Sequence, residues 1–384
     1  MYAIIKYIFD IHRYYNTLLY IRTSKNKKRV SQIKICGIIC EYNPLHNGHI
    51  YQLQYARKKS DFVVCIMSGH FVQRGECAVF DKFSRAKAAL LSGADAVFEL
   101  PTVFAVQAAE YFALGGVLTA QELGCTQLCF GSESGDLAVL KARAQTPLPA
   151  QLKTRLKNGF SYGQALSSSN EQLLPNNMLG IEYLKAINKI GSTLIPLTLQ
   201  RKTEFSSAQA LRSALRNGAD TEQMYPFTAK PLFWEQFFEL IKYRILSAST
   251  EELSNICGVS EGLEYKIKKE CLAAQSLDEL ILRIKSKRYP YSRISRILCC
   301  ALLNITKPLF SALLSEPPKV RLLGIKKEKL ALLSLLTNYY SSPSAIKDPI
   351  TASSAALDQY ATQIYSLFSS LSGTEDFTLP FLKI

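Results

Sequence analysis

Two histidines on either side of a glycine are the residues best suited to chemistry in this chain. They form the run His46-Asn47-Gly48-His49, and a spacing of three lets both rings lie on one face of the first turn of a helix. Imidazoles placed there can donate hydrogen bonds to phosphate oxygens as negative charge develops. Gly48 would let a bulky anion approach the backbone closely. The spacing predicts chemistry at a phosphate group; the plainer alternative is two polar surface residues at a turn.

The residues around the histidines predict a strand, a tight turn and a helix. The apolar run at 33–39 is typical of a buried strand, and Asn43-Pro44 ends it. After the histidines, apolar residues recur at helical spacing, and three basic residues at 57–59 suit a helix C-terminus. A helix that begins just after a strand presents free backbone N–H groups and the positive end of its dipole to an anion.

The longer run GIICEYNPLHNGH at 37–49 resembles the bacterial tRNA(Met) cytidine acetate ligase family, in the nucleotidylyltransferase superfamily whose signature is H-x-G-H. Members of that family activate acetate with ATP and acetylate the wobble cytidine of elongator methionine tRNA. The resemblance implies catalytic roles for His46 and His49. It also implies an ATP site formed by Ile39, Cys40, Glu41, Tyr42, Asn43, Pro44, Leu45, His46, Asn47, Gly48, His49, Ile50, Tyr51, Gln52, Gly131, Asn176, Arg201 and Lys202.

Strands and helices alternate through the first half of the chain, with strands predicted at 33–39, 61–67, 96–100, 127–130 and 193–199. Such alternation predicts an α/β fold, here a Rossmann-like nucleotidylyltransferase domain with a mostly parallel sheet. Ligands bind at the carboxyl ends of the strands in such sheets. Gly131, Arg201 and Lys202 each follow a predicted strand, which suits backbone contact with the nucleoside and charge contact with the triphosphate.

The run Ser206-Ser207-Ala208-Gln209 resembles a second motif of the superfamily. In that motif the start of a helix holds the β- and γ-phosphates of the nucleotide. Gln209 stands where threonine is usual, and residues 203–205 replace a longer glycine-containing loop. Both departures leave open how a loop closes over ATP. Asn176, the ATP contact implied by resemblance, also suits a helix cap because it follows Pro175.

Positive charge is concentrated outside the predicted catalytic half. The chain carries a net charge of +15, with +7 in residues 1–34, +2 in 35–200, +8 in 201–330 and −2 in the tail. A basic excess suits a polyanion such as nucleic acid. We therefore predict an N-terminal extension of uncertain role at 1–32, an ATP-binding nucleotidylyltransferase-like domain at 33–220, and a mainly helical tRNA-binding domain at 221–384, which residues 297–384 complete.

The segment 281–296 is the strongest candidate for RNA contact. It holds six basic residues and two tyrosines but no acidic residue. Basic side chains neutralise phosphates and tyrosines stack on unpaired bases, although a solvated basic helix face would have the same composition. Resemblance to a family block favours the anticodon loop of elongator tRNA(Met) as the partner. The predicted tRNA contacts are Lys285, Lys287, Arg288, Tyr289, Arg293 and Arg296.

Cysteine usage and hydropathy set the expected compartment. The ten cysteines include no C-x-x-C pair, so no disulfide framework is implied and a reducing cytoplasm fits. The pairs at 36/40 and 125/129 do not exclude a metal pair, but small buried hydrophobic residues are the favoured interpretation. No uncharged apolar run is long enough for a membrane span, so no membrane partner is expected. The expected ligands are ATP, acetate and tRNA, with Mg²⁺ accompanying ATP. No pattern indicates an oligomeric state.

Two other functions share part of this pattern. A small-molecule nucleotidylyltransferase would have the same histidine pair, but it would not need a basic helical region. A non-catalytic RNA-binding protein would use ATP only as a structural ligand.

Overall fold

The computed structural model describes residues 33–146, 174–218 and 224–384. Its strands, in chain order, are β1 (Ile35–Cys40), β2 (Phe62–Ser68), β3 (Phe71–Val72), β4 (Glu76–Cys77), β5 (Ala96–Leu100), β6 (Gln127–Ser132), β7 (Ile195–Gln200), β8 (Val320–Ile325), β9 (Tyr339–Tyr340) and β10 (Leu382–Lys383). Its α-helices are α1 (Asn47–Lys59), α2 (Lys82–Leu91), α3 (Thr102–Ala105), α4 (Ala109–Glu122), α5 (Leu137–Gln145), α6 (Pro175–Lys189), α7 (Ala208–Arg216), α8 (Phe238–Ser247), α9 (Thr250–Ser254), α10 (Leu263–Ala273), α11 (Leu277–Ile284), α12 (Tyr291–Leu302), α13 (Lys307–Ser315), α14 (Pro349–Ser366) and α15 (Glu375–Thr378). Short 3₁₀ helices occupy Trp234–Phe237, Lys327–Ser334 and Pro343–Ala345.

One eight-stranded sheet organises these elements, in the order β10-β8-β5-β2-β1-β6-β7 with β9 beside β8. Five neighbouring strands of the sheet all run parallel, as the alternating pattern predicts: β5, β2, β1, β6 and β7. β1 and β5 are buried along their whole length, because helices cover both faces of a parallel sheet. The α/β prediction is therefore confirmed, and β1 lies between β2 and β6 near the middle of the sheet.

The strands predicted in the catalytic half are present in the structure, with bounds that differ by a few residues. Asp81 caps α2 by accepting the backbone N–H of Ser84 at 2.8 Å. Between β5 and β6 the chain forms two helices, α3 and α4, separated at 106–108. The loop after β2 contains the antiparallel pair of β3 and β4.

The C-terminal residues differ from the prediction that 297–384 only complete a helical domain. β8 lies antiparallel to β5, and β10 extends the sheet beyond β8. The run VRLLGI at 320–325 is buried throughout, and so short a run, apolar apart from Arg321, does not distinguish a strand from a buried helix by periodicity. The run of helices without a strand is therefore 234–315, and the residues after it add β8, β9 and β10 to the sheet along with the helices α14 and α15.

Several predictions concern residues that the structure does not describe. The extension at 1–32 and the domain boundary near 220 lie outside the described residues. The division at residue 220 stays a prediction. Within the described ranges, no helix is both long and apolar enough to span a membrane.

Buried charges attach the C-terminal segment to the core of the sheet. Lys82 Nζ lies 2.8 Å from Glu99 Oε1 and 2.8 Å from Asp376 Oδ1, and all three side chains are at most 2% exposed. Arg321 of β8 also pairs with Asp376. Asp376 thus holds two buried cations, one from α2 and one from the C-terminal segment.

Removing the charge of Asp376 should destabilise the protein strongly. In Asp376→Asn two buried cations lose a shared anion, and breaking a buried pair costs about 3–5 kcal/mol of unfolding free energy. Glu235→Gln is the matched control, since Glu235 pairs with Arg216 at the surface, where such pairs are worth about 0–1 kcal/mol. Urea unfolding measures both variants; equal losses would contradict the role given to the buried cluster.

Candidate active site

The turn between β1 and α1 places the two histidines at the carboxyl edge of the sheet. Tyr42 follows β1 in the left-handed region, with φ of +48°, and the Asn43–Pro44 peptide bond is cis. The Tyr42 ring is buried and its hydroxyl lies 3.3 Å from Cys65 Sγ on β2. The chain then reaches His46, which is the N-cap of α1.

The histidine rings cap α1 reciprocally. His46 Nδ1 accepts the backbone N–H of Gly48 at 3.1 Å, and His49 Nδ1 accepts the backbone N–H of His46 at 3.4 Å. The rings stack with centroids 3.8 Å apart. Because each Nδ1 is an acceptor, the hydrogen-bond network assigns the proton of each neutral ring to Nε2. Each histidine therefore keeps one N–H donor for a ligand.

Both histidines are held neutral at pH 7. Burial lowers the pKa of His46 to about 4, and the positive charge of Arg201 acts in the same direction. Burial also lowers the pKa of His49 well below its usual range, with His46 and Arg201 adding to the effect. A neutral pair can still donate hydrogen bonds to a phosphate, so the predicted chemistry does not require imidazolium ions.

A cavity of about 770 Å³ opens in front of the histidines. Of the residues predicted to bind ATP, Pro44, Leu45, Asn47 and Ile50 are absent from its lining, and Leu45 is fully buried. The other predicted ATP residues meet at this cavity: Ile39, Cys40, Glu41, Tyr42, Asn43, His46, Gly48, His49, Tyr51, Gln52, Gly131, Asn176, Arg201 and Lys202.

The ends of β6 and α6 form a wall suited to a nucleoside. A Cβ on Gly131 would come no closer than 3.8 Å to Arg201 Cγ, so the backbone there is open to a ligand. Asn176 Nδ2 donates to Glu133 Oε1 at 2.7 Å, which fixes the amide and leaves its Oδ1 as an acceptor. The Glu133 carboxylate also accepts the backbone N–H groups of Asn176 and Asn177, and so it caps α6. The sequence analysis missed Glu133, although an acidic residue after a strand end was a visible signal.

Lys202 and the short segment 203–205 lie over α1. Lys202 Nζ is 3.2 Å from Glu204 Oε1 and 4.9 Å from the centroid of the Tyr51 ring, and Phe205 packs near the same ring. Ser207 caps α7 by accepting the backbone N–H of Ala210 at 3.1 Å. The short segment therefore closes against α1 by aromatic contact.

Two arginines that sequence analysis did not single out hold this edge together. Arg85 is fully buried, and its guanidinium donates to the carbonyl oxygens of Phe80, Glu41, Ser68 and Gly69. Arg212 of α7 donates to the carbonyl of Asn43 at 2.9 Å. These bonds fix the ends of β1 and β2, and no local pattern distinguishes such an arginine from a surface one.

The predicted tRNA contacts do not share one environment. Lys285, Lys287 and Arg288 are exposed, and Arg288 pairs with Glu261. Arg293 stacks on the Tyr289 ring, with its guanidinium carbon 4.4 Å from the centroid. Arg296 lines the cavity of the histidines.

The Tyr289 ring is not placed to stack on an unpaired base. Its side chain is only 7% exposed, and its hydroxyl donates to the carbonyl of Ser260 at 3.1 Å. A buried ring cannot stack on a base. Tyr291, two residues on, is 42% exposed and remains available for such stacking.

The lowered pKa of His46 should make stability depend on pH. Between pH 6.5 and about 4 the unfolded chain binds a proton that folded His46 excludes, so the contribution of His46 is present above pH 6.5 and is lost as the pH falls. In His46→Asn the cap is kept but this titration is removed. The difference in unfolding free energy between the two proteins should change by up to about 1.4 kcal/mol per pH unit in that window. Parallel pH profiles in denaturant titrations would contradict the neutral, buried state of His46.

Adding a methyl group to Gly48 should disturb the histidine pair without harming the fold. A Cβ there would lie 2.9 Å from His46 Cε1 and 3.1 Å from Nδ1, so the ring must move. Misplacement of a positioned group by about 1 Å can cost a factor of about 100 in rate. We expect Gly48→Ala to lose about that factor in turnover of ATP, measured as pyrophosphate release, while Gln54→Ala on the exposed side of α1 does not. Unchanged turnover in Gly48→Ala would exclude a role for the ring geometry.

Sequence comparisons with known proteins identify relatives of this chain. The sequence model of a family described as HIGH Nucleotidyl Transferase matches residues 33–377. A tRNA(Met) cytidine acetate ligase of Oceanobacillus iheyensis is 37% identical over 376 residues, which cover 86% of this chain and 94% of that protein. The one from Acetivibrio thermocellus is 36% identical over 392 residues, covering 87% and 94%.

Comparison with solved structures identifies a protein of similar fold and sequence. The crystal structure of Thermotoga maritima TmcAL bound with alpha-thio ATP has a TM-score of 0.83 and 30% sequence identity, and the match covers 92% of this chain and 100% of that one. Both the family match and the similar proteins span most of the sequence. The chain therefore belongs to the HIGH nucleotidyl transferase family and, within it, to the tRNA(Met) cytidine acetate ligases.

Proposed function

We propose that this enzyme uses ATP to activate acetate as acetyl-adenylate and then acetylates N4 of the wobble cytidine of elongator tRNA(Met). The observation that carries the proposal is the stacked, neutral histidine pair at the start of α1, with both Nδ1 atoms engaged and both Nε2–H groups left for a ligand. The cavity in front of the pair is bounded by Arg201 and Lys202. The relatives that carry the same activity in their names support the choice of substrates.

In the first step an acetate oxygen attacks the α-phosphate of ATP. A bond forms between that oxygen and phosphorus, and the bond to the bridging oxygen breaks as pyrophosphate leaves. Nε2–H of His46 and His49 would donate to oxygens that gain charge, and the start of α1 adds its dipole. Arg201 and Lys202, which follow β7, would neutralise the departing pyrophosphate.

Mg²⁺ enters this proposal as part of the ATP substrate. Among the described residues, no group of three or more His, Cys, Asp or Glu side chains is placed to hold a metal ion. Mg²⁺ bound with nucleotides usually takes phosphate oxygens, water and few protein ligands. It would supply charge neutralisation on the phosphates, and the chain's own cations supply the rest.

The tRNA would reach the cavity along the basic segment of the helical part. Lys285, Lys287 and Arg288 lie exposed between α11 and α12, and Arg296 lies at the cavity, on the same helix as the exposed Tyr291. Exposed cations would hold the phosphates of the anticodon loop while Arg296 lies near the reacting base. We infer a cytoplasmic enzyme, since tRNA is the substrate and the ten cysteines are free and buried.

Transfer of labelled acetate to tRNA tests the reaction. With ATP, bacterial tRNA and radiolabelled acetate, label should be recovered as N4-acetylcytidine. His49→Ala should lose a factor of about 100 or more in transfer, because it removes one donor to the developing charge and part of the cap. It should still bind tRNA, since the basic segment is unchanged.

Two outcomes would favour the other functions. ATP–pyrophosphate exchange that does not depend on acetate but requires a nucleotide-like co-substrate would indicate a small-molecule nucleotidylyltransferase. Full cellular function of His49→Ala would indicate a non-catalytic RNA-binding protein.

A further inference from the structure

The cavity extends to both sides of β1, and only one side suits the nucleotide. In the sheet, β6 and β7 lie on one side of β1, and β2 lies on the other. Gly131 in β6 and Arg201 after β7 belong to the first side, together with Asn176. ATP placed there, with its α-phosphate at the histidines, leaves the β2 side of the cavity for another substrate.

Six polar residues form this second region, here called the acceptor side. Glu41 follows β1, Arg74 and Glu76 come from the hairpin after β2, and the remaining three come from the helices α7 and α12. All six line the cavity: Glu41, Arg74, Glu76, Arg212, Ser292 and Arg296.

The acceptor side is held firmly by close packing. Gly75 has φ of +74°, and a Cβ there would lie 2.4 Å from Arg296 Cα. Ser295 Oγ donates to the carbonyl of Gly75 at 2.8 Å, in the buried contact between the hairpin and α12. On the other side of the hairpin, the backbone N–H of Gln73 donates to Glu41 Oε1 at 2.7 Å. The hairpin is therefore fixed between β1 and the helix that carries Arg296.

We propose that the acceptor side binds the cytosine ring and that Glu41 accepts the proton that leaves N4. This proposal rests on the proposed function. Cytosine presents an N4 amino donor beside the N3 and O2 acceptors. A carboxylate accepts from N4, and a guanidinium donates to N3 and O2, so neighbouring carboxylates and arginines match that edge.

The contacts favour Glu41 over Glu76 as the proton acceptor. A Glu76 oxygen lies 3.8 Å from the Arg212 guanidinium, so that carboxylate already has a cationic partner. Within the described part of the chain, the one hydrogen-bond donor to the Glu41 carboxylate is Gln73 N–H, on Oε1. Burial raises the pKa of Glu41, and the charge of Glu76 adds to this, while the Gln73 N–H, Arg212 and Arg74 act in the opposite direction. The pKa remains raised, so the carboxylate is a stronger base than an exposed one.

The transfer step balances with these groups. The N4 lone pair attacks the acetyl carbonyl carbon and forms the new C–N bond. The bond from that carbon to the phosphate oxygen breaks, and its electron pair leaves with AMP. One of the two N4 protons passes to the Glu41 carboxylate, and the other remains in N4-acetylcytidine.

The two steps of the reaction separate this proposal from the proposed function. Glu41→Gln keeps an oxygen that can accept from Gln73 N–H, so the hairpin and tRNA binding should stay intact. Because Glu41 also stands among the residues predicted to bind ATP, the test compares the two steps: single-turnover acetyl transfer to tRNA should fall by a factor of about 100 to 10,000, and acetate-dependent ATP–pyrophosphate exchange should fall far less. The transfer rate of the unsubstituted enzyme should rise with pH as Glu41 ionises, and Glu41→Gln should lack that rise. Glu375→Gln is the matched control, because Glu375 also accepts backbone N–H groups but lies outside the cavity.

Each outcome has a distinct meaning. Normal transfer by Glu41→Gln, or loss of exchange and transfer in equal measure, would overturn the role of Glu41. Absence of acetate-dependent exchange in the unsubstituted enzyme would overturn the proposed function itself, and with it the role proposed for the acceptor side.

Discussion

The reciprocal cap at the start of α1 is the interaction on which the site depends. Each histidine uses Nδ1 to accept a backbone N–H that a helix start would otherwise leave unpaired. One pair of hydrogen bonds thus ends the turn after β1, begins the helix and fixes the tautomer of both rings. Burial keeps the rings neutral, so the Nε2–H donors are available at neutral pH without the cost of placing two positive charges 3.8 Å apart.

That cap needs a rigid support, which distant parts of the chain supply. Arg85 joins carbonyl groups after β1 and β2, and Arg212 holds the carbonyl of Asn43 from α7. The hairpin after β2 packs backbone to backbone on α12, so the helical part of the chain contacts the edge that carries the histidines. The basic segment and the ATP-binding sheet therefore meet at one cavity, with Arg296 belonging to both.

Local features of the site follow from the sequence, whereas features built from distant residues do not. The strand, turn and helix around His46 and His49 were predictable because each signal lies within a few residues, as were the parallel strands with their apolar runs. β8 was not, because a short, mostly apolar run of six buried residues fits a strand or a helix equally well. The burial of Tyr289 depends on its contacts with Ser260 and Arg293, and the composition of the segment 281–296 does not predict those contacts. The acceptor side draws on residues from 41 to 296, which only the folded chain brings together.

The central claim is that an acetate oxygen attacks the α-phosphate of ATP at the histidine pair. Acetate labelled with ¹⁸O tests it most directly, in a complete reaction with ATP and tRNA, by mass spectrometry of the nucleotide product. Each acetyl transfer should place one ¹⁸O atom in the phosphate of AMP. Unlabelled AMP, or ADP accompanied by ¹⁸O in inorganic phosphate, would contradict attack at the α-phosphate and with it the role assigned to His46 and His49.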